Sequence, residues 1–187
     1  MAKTIRFTEA EREKYSVLTN VLGLKDLDVV GEAEVHPGDP LHLYCASRWD
    51  VGLCPNCLQL SHQIHDYPKQ RQIHDAPLRG QHLVLVFDSM RFDCQQCRKP
   101  FTQSIQDVVT ECTYTQRLYE EVSNPKNKQD VATLAERYGI GYKTVESILL
   151  KAGEEKLIRR QDEPIKVEHL GIDEISKKKD MGNTYSS

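Results

Sequence analysis

The sequence has no long apolar run. Its longest aliphatic stretch, Leu83 to Phe87, falls far short of the ~20 apolar residues that cross a bilayer, and Met1 to Phe7 lack the apolar centre of a secretory signal. These absences predict a soluble, cytoplasmic chain with no membrane partner. Internal repeats and low-complexity segments are missing as well. Nor is there an excess of positive charge: the formal net charge is −3 over 187 residues, which argues against a uniformly basic nucleic-acid protein. The charge is uneven, with +2 over residues 54–103 against −3 for 1–53, −2 for 104–163 and zero for 164–187. Any contact with DNA phosphates therefore has to come from local faces.

What the chain does have is two Cys-x-x-Cys pairs, Cys54-Pro55-Asn56-Cys57 and Cys94-Gln95-Gln96-Cys97, separated by 36 residues. Two intervening residues let both thiolates of a pair turn toward one point, and two pairs complete the tetrahedral four-sulfur shell that zinc prefers. Such a shell leaves no open position for water, so the expected Zn2+ is structural. A redox pair needs only one Cys-x-x-Cys and a thioredoxin-like context; two disulfides are the other alternative. Cys45 and Cys112 fall outside the pairs and read as ordinary small hydrophobes. His62, His65, His74 and His82 lie between the pairs, and with four thiolates at hand they are expected on loops or strand faces, or against phosphates.

Taken in order, Thr8 to Leu22 reads as a helix capped by Thr8 and Glu11, with Val17, Leu18, Val21 and Leu22 as its apolar stripe and Gly23 as its end. Val29–Val35 and Leu41–Ser47 read as strands around the reversal His36 to Pro40. Three short strands, His62–Tyr67, Gln70–His74 and His82–Phe87, are punctuated by Pro68, Pro77 and Gly80. Helical spacing resumes from Thr115 to Val122 and breaks at Asn124-Pro125.

From Gln129 to Leu150 the pattern is that of a helix-turn-helix. Ala135 is small enough for two helices to approach, Gly139 supplies the turn, and Ile140, Val145 and Ile148 pack the second helix on the first. Tyr142, Lys143 and Thr144 then start the second helix as candidate base-contacting residues, with Lys126 and Lys128 as candidate phosphate contacts. A plain helical hairpin is the alternative. Residues 151–164 read as a charged helix or linker, Ile165–Ile172 as a strand, and the remainder as a solvated tail.

The order of these pieces resembles the ISL-three group of bacterial insertion-sequence transposases. The resemblance runs from Val21-Leu22-Gly23-Leu24 through Cys54 to Cys57, His65-Asp66-Tyr67 and Asp75-Ala76-Pro77-Leu78-Arg79-Gly80. It continues with Arg91-Phe92-Asp93-Cys94, Cys97 and Phe101-Thr102, then the helix-turn-helix, and reaches Leu170-Gly171-Ile172-Asp173-Glu174. It implies a zinc domain and a helix-turn-helix that bind the element's terminal inverted repeats in double-stranded DNA, followed by an RNase H-like domain that cuts and joins DNA. By resemblance Asp173 matches the first of that domain's three metal-holding carboxylates, which act together on divalent metal. Only 14 residues follow Asp173. Mg2+ is thus expected only in an intact catalytic domain, and this chain is read as cut short and inactive by itself.

The expected fold class is α+β and multi-modular. Residues 1–50 would form a helix and hairpin, 51–103 a small β-rich four-cysteine zinc domain, 104–150 the all-α helix-turn-helix, 151–164 a linker, and 165–187 the first strand of a truncated RNase H-like domain. The leading functional expectation is a DNA-recognition module, nucleoid-associated when bound. Its association with itself or with the full-length transposase is left open by the lack of a dimerisation signal. The alternatives are a transposase completed by a downstream reading frame, a zinc-ribbon transcription regulator and, last, a thiol-redox enzyme.

Overall fold

The computed structural model describes residues 8–33, 36, 38–124, 126 and 129–161. The architecture is mixed α and β with a β-rich middle. Its elements are α1 (Glu9–Lys14), α2 (Ser16–Leu22), β1 (Leu27–Glu32), β2 (Leu41–Ser47), β3 (Gly52–Leu53), β4 (Leu60–Ser61), β5 (Ile64–Leu78), β6 (Gln81–Asp93), β7 (Pro100–Thr102), α3 (Gln116–Val122), α4 (Val131–Tyr138) and α5 (Tyr142–Gln161). The chain divides into two compact units, 1–152 and 153–187; the described part of the second is the C-terminal end of α5. Where the sequence suggested a charged helix or linker from Lys151, the helix continues through Gln161.

A five-stranded sheet in the order β1-β2-β6-β5, with β7 also paired to β6, carries the first unit. β1 and β2 are antiparallel, with Leu27 opposite Ser47, whereas β2 runs parallel to β6, with Leu43 opposite Leu85. Alternate residues of these strands fill one core: Leu27, Val29, Leu43, Ile73, Leu83, Leu85 and Phe87 are nearly inaccessible. Each such side chain contributes ~1.5–3 kcal/mol relative to exposure.

The three short strands expected between the cysteine pairs are two long ones. β5 runs through Pro68 and Pro77, and its register against β6 shifts between Asp66 and Lys69 and again between Asp75 and Leu78. A proline lacks the N–H that a ladder needs, so it is tolerated at a bulge or on an edge strand, and β5 offers both. The two strands are joined by Arg79 and Gly80, each with positive φ (52° and 82°).

The N-terminal helix also differs from expectation. Thr8 and Glu11 form the capping box, but the helix breaks at Tyr15 into α1 and α2. Leu22 is buried, while Val17 and Val21 are 73% and 61% exposed, so half of the expected stripe faces away from the core. Thr19 takes an inner position instead, where its hydroxyl accepts a hydrogen bond from the Val29 N–H at 2.9 Å.

Buried carboxylates lock the connections. Asp107 accepts from the backbone N–H groups of Lys25, Asp26 and Leu27 at 2.7, 2.8 and 3.1 Å, and Asp26 accepts in return from the Gln106 N–H and the Trp49 indole. Asp75, 1% exposed, accepts from Thr115 Oγ1 at 2.6 Å and pairs with Arg117 at 2.7 Å, which ties β5 to α3. A second core gathers Leu118, Tyr119 and Val122 of α3, Leu134 and Tyr138 of α4, Ile140, and Val145, Ile148 and Ala152 of α5. Cys45 is buried in the first core, and burial, aided by the nearby Asp75 and Asp107 carboxylates, pushes its thiol up to about 12. It behaves as the small neutral hydrophobe expected of it; Cys112 is partly buried against the second core.

Candidate metal centre and the start of the last helix

The four cysteines converge. Cys54 and Cys57 follow β3, Cys94 and Cys97 follow β6, and their sulfurs all lie within 4.8 Å of one another. The Cys54–Cys97 and Cys57–Cys94 sulfur separations are 3.9 and 3.4 Å. Four sulfurs at ~2.3 Å from a tetrahedrally bound zinc stand about 3.8 Å apart, so the donor set fits that ion by number, softness and spacing. Among the described residues no histidine joins the cluster. His65 instead meets Asp93 Oδ1 through Nδ1 at 2.9 Å.

The two halves of the centre repeat one local design. The first cysteine donates its N–H to the carbonyl five residues on, Cys54 to Gln59 at 2.9 Å and Cys94 to Lys99 at 3.1 Å. The residue after the second cysteine donates back to the first cysteine's carbonyl, Leu58 to Cys54 at 2.9 Å and Arg98 to Cys94 at 2.8 Å. Both residues that close these turns are left-handed, with φ 58° at Leu58 and 54° at Arg98. Neither is the glycine that would have signalled such a turn in the sequence.

Electrostatics differ across the centre. Backbone N–H groups of Cys57 and then Asn56 hold the Cys54 thiol down to about 7, against the opposing effect of burial. The Cys97 thiol is pushed up to about 12, first by its hydrogen bond with Cys57 and then by burial. A bound zinc takes all four sulfurs as thiolates and displaces the protons they carry.

Behind the sulfurs lies a very small core of Phe92 and Phe101, with ring centroids 6.0 Å apart. Gly52 touches both rings: a Cβ built there would come within 2.5 Å of Phe92 Cδ2 and 2.8 Å of Phe101 Cε2. Gly52→Ala is expected to cost about 1–3 kcal/mol through overpacking and to hasten zinc loss to a chromogenic chelator. An unchanged release rate together with an unchanged melting temperature would contradict this packing argument.

The other candidate residues lie on the helices. Tyr142 is 52% exposed, Lys143 is exposed and Thr144 is half-buried at the start of α5. Lys126 is exposed, in the connection before α4. Lys128 and Asp173 lie outside the described residues, as does the strand expected at 165–172. α4 is capped by Asp130, whose carboxylate accepts from the Thr133 N–H; that bond, followed by the one from the Thr133 hydroxyl, holds its pKa below the usual value. The helix ends at Gly139, with φ 64°, and α5 begins three residues later. His82, at the start of β6, packs against this turn: its ring lies 2.7 Å from where a Gly139 Cβ would stand, and Nε2 donates to the Arg137 carbonyl at 3.2 Å. Sequence spacing gave no sign of that contact.

Residues 50–97, which span both cysteine pairs, match the family described as zinc-finger of transposase IS204/IS1001/IS1096/IS1165. The zinc ribbon is that of the ISL-three transposases. The chain is also 28% identical over 151 residues to the transposase for insertion sequence element IS1001 of Bordetella parapertussis, an alignment covering 81% of this chain and 36% of that transposase. It thus spans about a third of the length of this ISL-three relative. No solved structure matches it. Among the described residues no helix is long and apolar enough to cross a membrane.

Proposed function

We propose that this chain carries the DNA-recognition part of an ISL-three transposase and binds double-stranded DNA at the terminal inverted repeats of its element. In this reading α4 and α5 are a helix-turn-helix. The observation that carries it is the exposed start of α5, where Tyr142 and Lys143 project from a helix whose Val145 and Ile148 are fully buried in the core shared with α3 and α4. A recognition helix presents its N-terminal residues to base edges in the major groove, and its buried side fixes the angle of entry. Lys126 and Lys128 supply phosphate contacts locally, as a chain of net charge −3 requires.

The zinc ribbon is assigned a structural task. Its first half, residues 51–64, carries no formal charge and exposes Leu53, Leu58 and Leu60, whereas its second half exposes Arg98 and Lys99. Among the described residues the four thiolates are also the one group of three or more Cys, His, Asp or Glu side chains placed to hold a metal. Four sulfurs close the shell of a zinc ion, so DNA cutting is assigned to no described residue.

The test is a fluorescence-anisotropy titration of zinc-loaded protein with duplexes from the ends of the flanking element and a scrambled duplex, at two salt concentrations. End-specific binding in the nanomolar range or tighter is expected, with at least ~1000-fold preference over the scrambled duplex. Equal, weak and steeply salt-dependent binding to both duplexes would refute sequence-specific recognition.

A further inference from the structure

We propose that Arg79, at the tip of the β5–β6 hairpin, is a second DNA contact that holds a backbone phosphate beside the bases met by the start of α5. This rests on the duplex-binding reading above and adds to it a contact from outside the helices.

The tip is a two-residue loop closed by the Leu78–Gln81 pair, with both central residues in the left-handed region. Loops of this type favour Asn-Gly, Asp-Gly or Gly-Gly, because asparagine, aspartate and glycine tolerate positive φ at little cost. The chain places an arginine there. Backbone strain retained at an exposed position points to a use for the side chain.

That side chain is uncommitted. Arg12 and Arg48 pair with Asp28, Arg91 with Asp66 and Arg117 with Asp75, and Arg71 donates to the Cys112 carbonyl. Arg79 is exposed and makes no hydrogen bond or ion pair among the described residues. A guanidinium presents a planar fork of donors that matches a phosphate.

The tip is also fixed relative to α5. On one strand, Arg117 of α3 donates to the Ala76 carbonyl at 2.6 Å and to Asp75. On the other, His82 fills the space over Gly139 and donates to the Arg137 carbonyl. Arg79 stands three positions before His82, and Tyr142 three positions after Gly139, so the tip and the start of α5 both lead directly from this one contact.

The experiment uses the zinc-loaded full chain, element-end and scrambled duplexes, a salt series, and the variants Arg79→Asn and Arg79→Lys. Arg79→Asn installs the turn residue this loop favours, so its melting temperature should equal or exceed that of the parent. Its affinity should fall roughly tenfold on both duplexes, the loss of one charge-assisted hydrogen bond. The slope of log K against log salt should shrink by about 0.9, the signature of one phosphate contact, and Arg79→Lys should restore it. Parent-like affinity and slope in Arg79→Asn overturn the proposal while leaving helix-turn-helix recognition standing. A lower melting temperature that tracks the affinity loss overturns it too, since Arg79 would then serve the fold. If the parent binds neither duplex, the DNA-recognition reading fails and this inference fails with it.

Discussion

Removing the metal with a strong chelator is expected to unfold the ribbon while leaving the large sheet folded. The two halves of the centre share a small core of Phe92 and Phe101 with the ligand cysteines and the partly buried Met90, and burying two aromatic rings contributes ~1.5–3 kcal/mol each. Structural zinc at a four-thiolate site contributes about 10–16 kcal/mol of apparent binding free energy, several times more. The metal term decides. Strands β5 and β6, however, extend from this centre into the first core, where Leu43, Ile73, Leu83 and Leu85 pack without any help from the metal. Hydrogen exchange should show the amides of Cys54, Leu58, Cys94 and Arg98 losing protection on chelation while those of Leu43 and Leu85 keep it. Retained protection at the first four after stoichiometric zinc release would mean that the turns stand without metal.

Gly139→Val is expected to destabilise the helical part and to abolish end-specific DNA binding. Valine would have to hold φ near 64°, a conformation costing about 1–2 kcal/mol for a residue with a Cβ. Its side chain would also occupy the place of the His82 ring, which must leave and give up its bond to the Arg137 carbonyl. With about 1–3 kcal/mol for the displaced packing, the total is ~2–5 kcal/mol. Denaturant unfolding followed by tyrosine fluorescence reads the stability, and the duplex titration reads the binding. His82→Ala separates the two causes: in that background Gly139→Val keeps the φ cost and loses the collision. If the double variant is no more stable than Gly139→Val alone, steric exclusion by His82 is not the cause.

Much of the site was readable because its determinants are local. The Cys-x-x-Cys spacing orients two thiolates within one turn, and the donor type selects the metal. Thr8 with Glu11, and Gly139 after Tyr138, are end signals whose physics acts over three or four residues. Pro68 and Pro77 misled for the same reason. A proline does remove a donor, but whether a strand must end there depends on which edge of the sheet the missing N–H faces, and that is a property of neighbours distant in sequence. Val17 and Val21 fit a helical stripe by spacing, and the break at Tyr15, with Thr19 taking the inner position, turned them outward.

By itself, then, the sequence determined the four-cysteine cluster and the likeness to ISL-three transposases, since each is written in residue types at short fixed spacings. Only the tertiary structure decided that one long hairpin serves both the metal centre and the large sheet. It alone placed Asp26, Asp75 and Asp107 inside, where each carboxylate accepts hydrogen bonds from groups far away in the chain. It alone brought His82 to the turn between α4 and α5. The physical reason is common to all of these: a buried polar group is tolerable only beside its partners, and partners 40 to 80 residues apart meet only when the chain has folded.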